Sequence, residues 1–396
     1  MALARADSRN LHTETETIVS KTRKAWWGTV VVFLVYGLVV STWISRIPAV
    51  QSAIHLSNFV LGLTLLSSAM GALCVIPPAG MLVGKFGSKR VIVVVSMAFC
   101  FSLILPSLAV SAVTLAAALF VFGAVTAALG VAMNSHAVEV EKAMERPTMS
   151  RFHGMFSLGG MLGAAAGGAV AARGVGTVMH FAVSAVVNAG ALLAIGGLLL
   201  DTHDAHKNVD HRLPFRNMPR MLLALSAICF CIFLSEGAMA DWTALYLRQV
   251  LKAGQGTAAA GYAVFSGAMA TMRFLGDMVT ARLGPMRAVR NGSLLAAGGL
   301  GWALWMRDPG WAMPGFGLAG CGFSIIIPLV FGSAGRVKGV SPGAGIATVS
   351  GIGYLAFIAG PPAIGFLSQV MTLRGALLVV MGCCLVSAGL SREMKG

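Results

Sequence analysis

The sequence predicts an all-α membrane protein with twelve transmembrane helices in two pseudo-symmetric six-helix bundles and both termini in the cytoplasm. The first observation behind this prediction is composition. Of the 396 residues, 11% are charged and 57% are hydrophobic, whereas a soluble domain carries roughly 25% charged residues. The mean hydropathy is +0.82. A soluble fold of this length needs more charge to cover its surface, so soluble, disordered, coiled-coil and disulfide-stapled proteins are excluded.

The second observation is the number of apolar stretches. A membrane-spanning helix needs about 20 predominantly apolar residues, and twelve stretches of the chain meet that need. We place the spans at 26–46, 59–80, 91–110, 113–136, 151–172, 177–200, 220–247, 258–279, 289–306, 311–332, 343–368 and 374–390. The predicted organisation is a cytoplasmic N-terminal tail (1–25), a six-helix bundle (26–200), a polar cytoplasmic linker (201–219), a second six-helix bundle (220–390) and a cytoplasmic tail (391–396).

The third observation is the distribution of lysine and arginine. With both termini inside, 22 of the 29 basic residues fall in cytoplasmic segments, 6 fall in outer segments, and Arg273 falls within a span. Basic segments resist translocation, so this bias sets the orientation. The same clusters account for the net charge of +15 without a nucleic-acid partner, since they form no basic patch interleaved with aromatic residues. The N-terminus has no apolar core before Trp26, which argues against a cleavable signal peptide.

Residues that carry cofactor or metal chemistry are sparse. The seven cysteines lie inside apolar stretches without partners at metal-site spacing, so we interpret them as small core residues. The linker histidines His203, His206 and His211 fit a solvated loop. The sequence has neither a phosphate-binding glycine loop nor a Ser/His/Asp or HExxH arrangement. We therefore predict a protein that is not an enzyme and that needs no metal or cofactor. We also predict that it is a monomer.

Short strings recur about 200 residues apart. The string FLVYG at Phe33–Gly37 returns as FLSEG at Phe233–Gly237, and the turn Lys85–Gly87 returns as Arg282–Gly284. Each match alone is weak, but the nearly constant offset predicts duplicated halves. Two such halves with a site between them are the architecture of alternating-access transporters.

Ionisable residues inside spans are candidates for function, because a charge at the bilayer centre costs about 2.5–3.5 kcal/mol. Glu236 lies near the middle of the seventh span, and Asp241 follows five positions later. Burial in a low-dielectric cavity favours the neutral form of a carboxyl group, so such a group can bind and release a proton near neutral pH. We predict that Glu236 and Asp241 carry coupling protons. The alternative is a neutral carboxyl group or a buried ion pair that holds helices together.

Polar and aromatic side chains on the first, fourth and seventh spans are candidate solute ligands: Tyr36, Trp43, Arg46, Asn134 and Trp242. Aromatic rings stack on sugar faces, and the Arg46 guanidinium can bind a carboxylate or pair with Asp241. The alternative for Trp43 and Arg46 is a position at the membrane interface, with the arginine reaching the headgroups. We predict structural roles for His136 and His153.

Arg273 and Asp277 are four residues apart on the eighth span and can pair along one face of the helix. Their position near the predicted cytoplasmic mouth suits a gate or a lock between helices. A purely structural pair is the alternative.

The turn after the second span resembles the signature turn G-x-x-x-D-R-x-G-R-R of the major facilitator superfamily. It reads Gly80-Met-Leu-Val-Gly84-Lys85-Phe86-Gly87-Ser88-Lys89-Arg90, with Gly84 at the aspartate position. In the second half, Arg273-Phe-Leu-Gly276-Asp277 precedes Arg282-Leu283-Gly284 and has an acid one turn earlier. The resemblance implies the major facilitator fold, and gating roles for Lys85 and Gly87 beside Arg273 and Asp277.

Longer strings are similar to the fucose-permease-like group of bacterial permeases. They are VAMNSHAVEVE (131–141), MSRFHGMFSLGG (149–160), EGAMADW (236–242) and GPPAIG (360–365). The resemblance covers essentially the whole chain. It implies a proton-linked carrier of the bacterial inner membrane for a small polar solute, such as a sugar or a related metabolite. Gly130 stands where that group often has an acid, which shifts the coupling role to Glu236 and Asp241.

We therefore expect a secondary transporter that moves a small polar solute together with protons by alternating access. The first alternative is a proton-driven exporter of drugs or amphipathic compounds, favoured by the 22 methionines. Against it, the fifth span lacks the Gly-Pro motif that drug-proton antiporters of the superfamily tend to carry. A solute receptor or sensor is the alternative from another class, and the short tail after Leu390 offers no output domain for it.

Overall fold

The computed structural model describes the backbone of residues 2–146, 148–201 and 218–395. The side chains of residues 2–19, of Asp277 and of Lys395 lie outside the described part. Most of the predicted linker 201–219 therefore also lies outside the described residues.

The described residues form helices that are joined by short turns and loops. The α-helices are α1 (Ala2–Ala53), α2 (Asn58–Phe86), α3 (Ser88–Ser102), α4 (Ala112–Met144), α5 (Met149–Ala172), α6 (Thr177–Ile195), α7 (Arg220–Gln249), α8 (Gln255–Leu283), α9 (Pro285–Trp305), α10 (Pro309–Phe323), α11 (Ile326–Ala334), α12 (Pro342–Val370) and α13 (Leu373–Leu390). The fold class, an all-helical membrane protein, is confirmed.

Ten helical segments of the described chain are long and apolar enough to cross a membrane, rather than the predicted twelve. The two predicted spans that fall short correspond to α8 and α9. Both contain several charged residues, among them Arg273 in α8 and Arg287 and Arg290 in α9. Their charge lowers the hydropathy, although their lengths of 29 and 21 residues suffice to span a bilayer.

The predicted span 311–332 is broken into α10 and α11 at Ser324 and Ile325. Pro328 explains the break, because a proline ring clashes with the carbonyl group four residues earlier and supplies no amide hydrogen for it. That carbonyl group belongs to Ser324. Together α10 and α11 make one of the ten segments, Pro309–Ala334.

The first helix begins at Ala2, whereas we predicted a tail up to residue 25 and a helix from residue 26. Between Ala2 and Lys24 the sequence contains no glycine and no proline, the two residues that most readily end a helix. The membrane-compatible part of this helix is Ser20–Ala53.

The packing of α2 on α4 is repeated in the packing of α8 on α10. A Cβ atom on Gly123 would overlap the carbonyl oxygen of Ser68, and a Cβ atom on Gly320 would overlap that of Phe265. Both residues of the second pair lie 197 positions after those of the first. These glycines let two helix backbones touch, as is common in membranes. The contact supports the duplication that the strings predict.

The two glycine turns are also equivalent. Gly87, between α2 and α3, has φ 79° and ψ 151°, and Gly284, between α8 and α9, has φ 72° and ψ 160°. An L side chain rarely adopts this backbone conformation, so glycine is required at both turns. Each glycine N–H caps the preceding helix by donating to a carbonyl oxygen four residues back, that of Val83 or Thr280.

Helices α1–α6 and helices α7–α13 meet mainly through α5 on α8 and α2 on α12, with α1 beside α7. We call the end of the molecule where α1 and α7 finish the outer end, following the orientation that the basic residues predict. There the backbones nearly touch: a Cβ atom on Gly168 would lie 2.9 Å from the carbonyl oxygen of Gly256, and one on Gly365 would lie 2.7 Å from that of Asn58. The two halves are therefore tightly packed at the outer end.

Candidate functional site

One wall of the candidate site is built on α1 and α4. The Tyr36 ring stacks on Phe99 at 5.2 Å between centroids and packs against Phe156 at 5.7 Å. Its hydroxyl group donates to the Thr126 carbonyl oxygen at 3.3 Å. A Cβ atom on Gly130 would lie 3.4 Å from the same hydroxyl group. The absence of a side chain at Gly130 thus leaves the Tyr36 hydroxyl group uncovered on that side.

Asn134 lies one turn along α4 from Gly130. Its amide Nδ2 donates to the Gly130 carbonyl oxygen at 2.8 Å. Since Gly130 also adjoins Tyr36, the structure brings the predicted solute ligands Tyr36 and Asn134 into one neighbourhood. The side chain of Asn134 is half-buried.

The opposite wall is an aromatic cluster on α7 and α12. Phe233 lies 5.2 Å from Phe357 and 5.6 Å from Tyr354 between ring centroids. Tyr354 is 46% exposed, which is high for a tyrosine at the centre of a bundle. It lies close enough to Tyr36 for the two hydroxyl groups to interact electrostatically. Tyrosines from both halves of the chain therefore lie near each other, and the sequence analysis did not single out Tyr354.

Glu236 lies one turn along α7 from Phe233. Its Oε1 atom is fully enclosed and has no hydrogen-bond partner. Arg273 on α8 carries the opposite charge and interacts with Glu236 electrostatically. The described side chains form ion pairs at Lys89–Asp201 and Lys142–Glu139, and Glu236 takes part in neither. Tyr262, also missed in the sequence, interacts with both Glu236 and Arg273.

Arg273 reaches across to the other half of the chain. Its Nη1 atom donates to the Ser157 hydroxyl oxygen at 2.6 Å and to the His153 carbonyl oxygen at 3.3 Å, both on α5. The Ser266 hydroxyl group, also on α8, donates to the Ser157 carbonyl oxygen at 2.8 Å. Arg273 was predicted as a gating residue, and it lies at a contact between the two halves.

Arg46 lies away from this centre. Its Nη2 atom donates to the Val175 carbonyl oxygen at 2.7 Å, between α5 and α6, and 3% of the residue is exposed. The pairing with Asp241 that we considered is not formed among the described ion pairs. Asp241 is half-buried and interacts electrostatically with Tyr262. The Arg46 side chain is instead bound by the backbone between α5 and α6.

The two tryptophans predicted as solute ligands are buried in the packed core. Trp43 is 5% exposed and contacts Phe181 of α6 edge to face at 6.5 Å. Trp242 is 0% exposed, and its indole nitrogen has no hydrogen-bond partner. Neither ring presents a free face to a solute in this conformation.

The remaining predicted gating residues lie at the inner end. The Lys85 ammonium group lies 5.2 Å from the centroid of the Phe86 ring, and Gly87 forms the turn described above. Beside that turn, the Ser88 hydroxyl group and His136 Nδ1 share a buried hydrogen bond of 2.8 Å. Asp277 is on α8, but its side chain lies outside the described residues.

A ring of side-chain amides joins the two halves at the outer end. Gln51 donates to Asn58 at 2.9 Å, Asn58 donates to Gln249 at 3.1 Å, and Gln249 donates to Gln51 at 3.0 Å. These residues lie at or beyond the ends of the predicted spans, where a polar residue is expected to contact water or headgroups. The sequence therefore carried no signal for this ring beyond the residue type.

The sequence profile of the Major Facilitator Superfamily matches residues 25–340. The chain belongs to this superfamily. An uncharacterized MFS-type transporter of Yersinia pestis is 35% identical over 89% of this chain and 90% of its own length. An uncharacterized transporter of Sinorhizobium fredii is 36% identical over 90% of this chain and 94% of its own length. The resemblance to the superfamily is confirmed, and this major facilitator protein is a multi-pass membrane transporter of unspecified substrate.

Solved structures of the superfamily share the fold. The nucleoside transporter NupG aligns with a TM-score of 0.73 at 14% identity, covering 94% of this chain and 100% of its own. The Escherichia coli fucose:proton symporter FucP aligns with a TM-score of 0.64 at 15% identity, covering 94% and 99%. At such identities the likeness concerns the fold of this major facilitator protein and not its solute.

Proposed function

We propose that this protein is a proton-coupled secondary transporter that moves a small polar solute, a sugar or related metabolite, across the bacterial inner membrane by alternating access. In this proposal a monomer of twelve spanning helices, with both termini in the cytoplasm, forms two rocking halves. Symport of solute and proton is the mode we favour.

Proton coupling is supported chiefly by the enclosed carboxyl oxygen of Glu236. An ionised carboxylate that is buried without a hydrogen-bond donor is costly, whereas a protonated carboxyl group avoids the charge. In this conformation Oε1 has no donor and the Arg273 nitrogen Nη1 is engaged by α5. The geometry thus favours a protonated Glu236 here. Asp241 is the secondary candidate, because it is half-buried on the same helix.

The solute class is supported by the two facing walls. Tyr36 and Tyr354 offer hydroxyl groups beside stacked rings, and Asn134 offers an amide group on the same side as Tyr36. Aromatic faces with nearby hydrogen-bonding groups suit a ring-shaped polar solute. The fucose and the nucleoside in the names of FucP and NupG are ring-shaped and polar as well.

Alternating access is supported by where the halves touch. Glycine contacts and the amide ring pack the outer end. Close packing between the halves at the outer end is expected of one of the two states of a rocking transporter.

The test is Glu236→Gln in proteoliposomes. A panel of hexoses, pentoses, polyols and nucleosides is first screened for thermal stabilisation of the detergent-purified protein. For a stabilising solute, Glu236→Gln is expected to retain solute counterflow and to lose accumulation driven by a proton gradient. Glu139→Gln is the matched control, because Glu139 pairs with Lys142 on α4 away from the centre. Unchanged uphill uptake by Glu236→Gln would remove this carboxyl group from the mechanism.

A second candidate function is proton-driven export of amphipathic compounds. The observation that favours it is the apolar wall of Phe233, Tyr354 and Phe357, which can hold a hydrophobic ring without a hydroxyl group. Lower toxin susceptibility of cells that express the protein, together with no stabilisation by the sugar and nucleoside panel, would select it. A receptor or sensor would show binding without counterflow.

A further inference from the structure

We propose that Arg273 couples the charge of Glu236 to the contact between the two halves: it holds α5 while Glu236 is protonated and leaves α5 when Glu236 is ionised. This inference rests on the proposed proton-binding role of Glu236 and extends it to a mechanism of release. Arg273 is a positioning residue in this scheme, since it transmits the charge state without contacting the solute.

The first support is that Arg273 itself makes hydrogen bonds that join α8 to α5. A guanidinium group has five N–H donors in a planar fork. In this structure Nη1 alone makes the two hydrogen bonds to α5, to Ser157 and to the His153 carbonyl group. The hydrogen bonds of Arg273 to described residues use neither Nε nor Nη2. Donors of Arg273 therefore remain for a second acceptor.

The second support is that Glu236 is near enough to act on Arg273 but does not bind it. The two charges interact electrostatically, yet no ion pair within 4.0 Å joins them among the described residues. An ionised carboxylate attracts a guanidinium group more strongly than a neutral hydroxyl or carbonyl oxygen does, because charge-assisted hydrogen bonds are about twice as strong as neutral ones. Loss of the proton from Glu236 thus draws Arg273 away from its neutral acceptors on α5.

The third support is the lack of a competing partner among the described groups around Glu236. The groups that interact with Glu236 are Cys229 on its own helix and Tyr262 and Arg273 on α8. Asp241 interacts with Tyr262, and Tyr354 on α12 interacts with Cys229. Arg273 is the cation of this set. His153 on α5 faces Arg273. Asp277 is one turn from Arg273 on α8, so it enters the test as a separate variant.

The experiment measures the separation of α5 and α8 at the inner end. In a background without the native cysteines, spin labels replace the exposed residues Arg151 on α5 and Arg282 on α8. The distance distribution in nanodiscs is recorded at about pH 5.5 and about pH 8.5. With otherwise native residues, the ratio of molecules with the short label-to-label distance to those with the long distance is expected to fall about tenfold at the higher pH. A tenfold change of this equilibrium corresponds to about 1.4 kcal/mol.

Substitutions identify which side chains cause the response of this distance to pH. Glu236→Gln should keep the short distance at both pH values. Ser157→Ala removes one acceptor of Arg273, so it should raise the fraction of molecules with the long label-to-label distance at the acidic pH. Arg273→Gln should lose the pH dependence, and Arg273→Lys, which keeps the charge, should restore part of it. Asp277→Asn should respond like the unsubstituted protein.

Three outcomes would overturn the inference: no change of distance with pH, a Glu236→Gln protein that still responds to pH, or an Asp277→Asn protein that does not. Glu236→Gln and Ser157→Ala decide the matter even if Arg273→Gln does not fold. If Glu236→Gln loses uphill uptake but the distance never depends on pH, the proposed role of Arg273 fails while the proposed function stands. If Glu236→Gln keeps uphill uptake, the proposed function itself fails.

Discussion

Asn58 and Gln249 hydrogen-bond each other in both directions across the interface between the two halves of the protein. Asn58 Nδ2 donates to Gln249 Oε1 at 3.1 Å, and Gln249 Nε2 donates to Asn58 Oδ1 at 3.1 Å. Gln51 closes the ring from α1. All three groups are neutral, so the ring holds the outer end closed without the desolvation cost of an ion pair. Opening the outer end requires this ring to break.

Replacing Asn58 by alanine should therefore favour the open outer end. A neutral hydrogen bond contributes about 0.5–1.5 kcal/mol, so loss of the reciprocal pair is expected to shift the equilibrium about five- to hundredfold. Spin labels at the exposed outer residues Arg173 and Gln255 would report it as a gain of long distances. Asn188→Ala is the control, because Asn188 bonds Ser184 within its own helix. Equal distributions for the two variants would contradict the role of the ring.

Glycine contacts between the halves give a second prediction. A Cβ atom on Gly62 would press on the Pro361 carbonyl oxygen of α12, whereas one on Gly80, on the same helix, would meet nothing within 4 Å. Gly62→Ala should wedge the outer end open and slow solute uptake, with each half still folded. Gly80→Ala should transport normally and be slightly stabilised, since alanine favours a helix by about 1 kcal/mol over glycine. The uptake rates of both variants in proteoliposomes test this.

The repeated glycine contacts within the halves predict matched losses of stability. Gly123→Ala and Gly320→Ala each place a methyl group on a carbonyl oxygen of the neighbouring helix. Overpacking of this kind costs about 1–3 kcal/mol or more, so both variants should melt at lower temperature and by similar amounts. Gly190→Ala on α6, where nothing lies within 4 Å, is the control. A large loss in one variant alone would argue against equivalent packing of the two halves.

The Tyr36 hydroxyl group is predicted to contribute to solute affinity. Tyr36→Phe keeps the stacking on Phe99 and loses only a hydrogen bond of 3.3 Å, so stability should change little. If the hydroxyl group binds the solute, affinity should fall about two- to tenfold, as one hydrogen bond of 0.5–1.5 kcal/mol requires. Tyr246→Phe is the matched control, because the Tyr246 hydroxyl group contacts carbonyl oxygens inside the second half. Titration of thermal stability with the solute measures both.

Residue type and position along the chain were sufficient to select several groups of the candidate site. Glu236 and Arg273 were identifiable because a charge within an apolar stretch is costly and therefore informative. Tyr36 and Asn134 were selected as an aromatic and a polar group within spans, and they lie together. Trp43 and Trp242 were selected because aromatic rings can stack on a solute, yet both rings are buried in the core. A period of 3.6 residues tells which residues share a face, but not which neighbouring helix covers that face.

The sequence by itself was sufficient to identify a helical membrane protein, because hydropathy and charge bias are properties of the linear chain. Its repeated strings predicted two duplicated halves. The tertiary structure alone decided that Arg273 hydrogen-bonds α5, that Tyr36 lies near Tyr354, and that Asn58 hydrogen-bonds Gln249. These partners are more than 100 positions apart in the chain. Their contacts depend on how the helices pack, and lipid-facing and interface-facing positions are similarly apolar, so composition does not distinguish them.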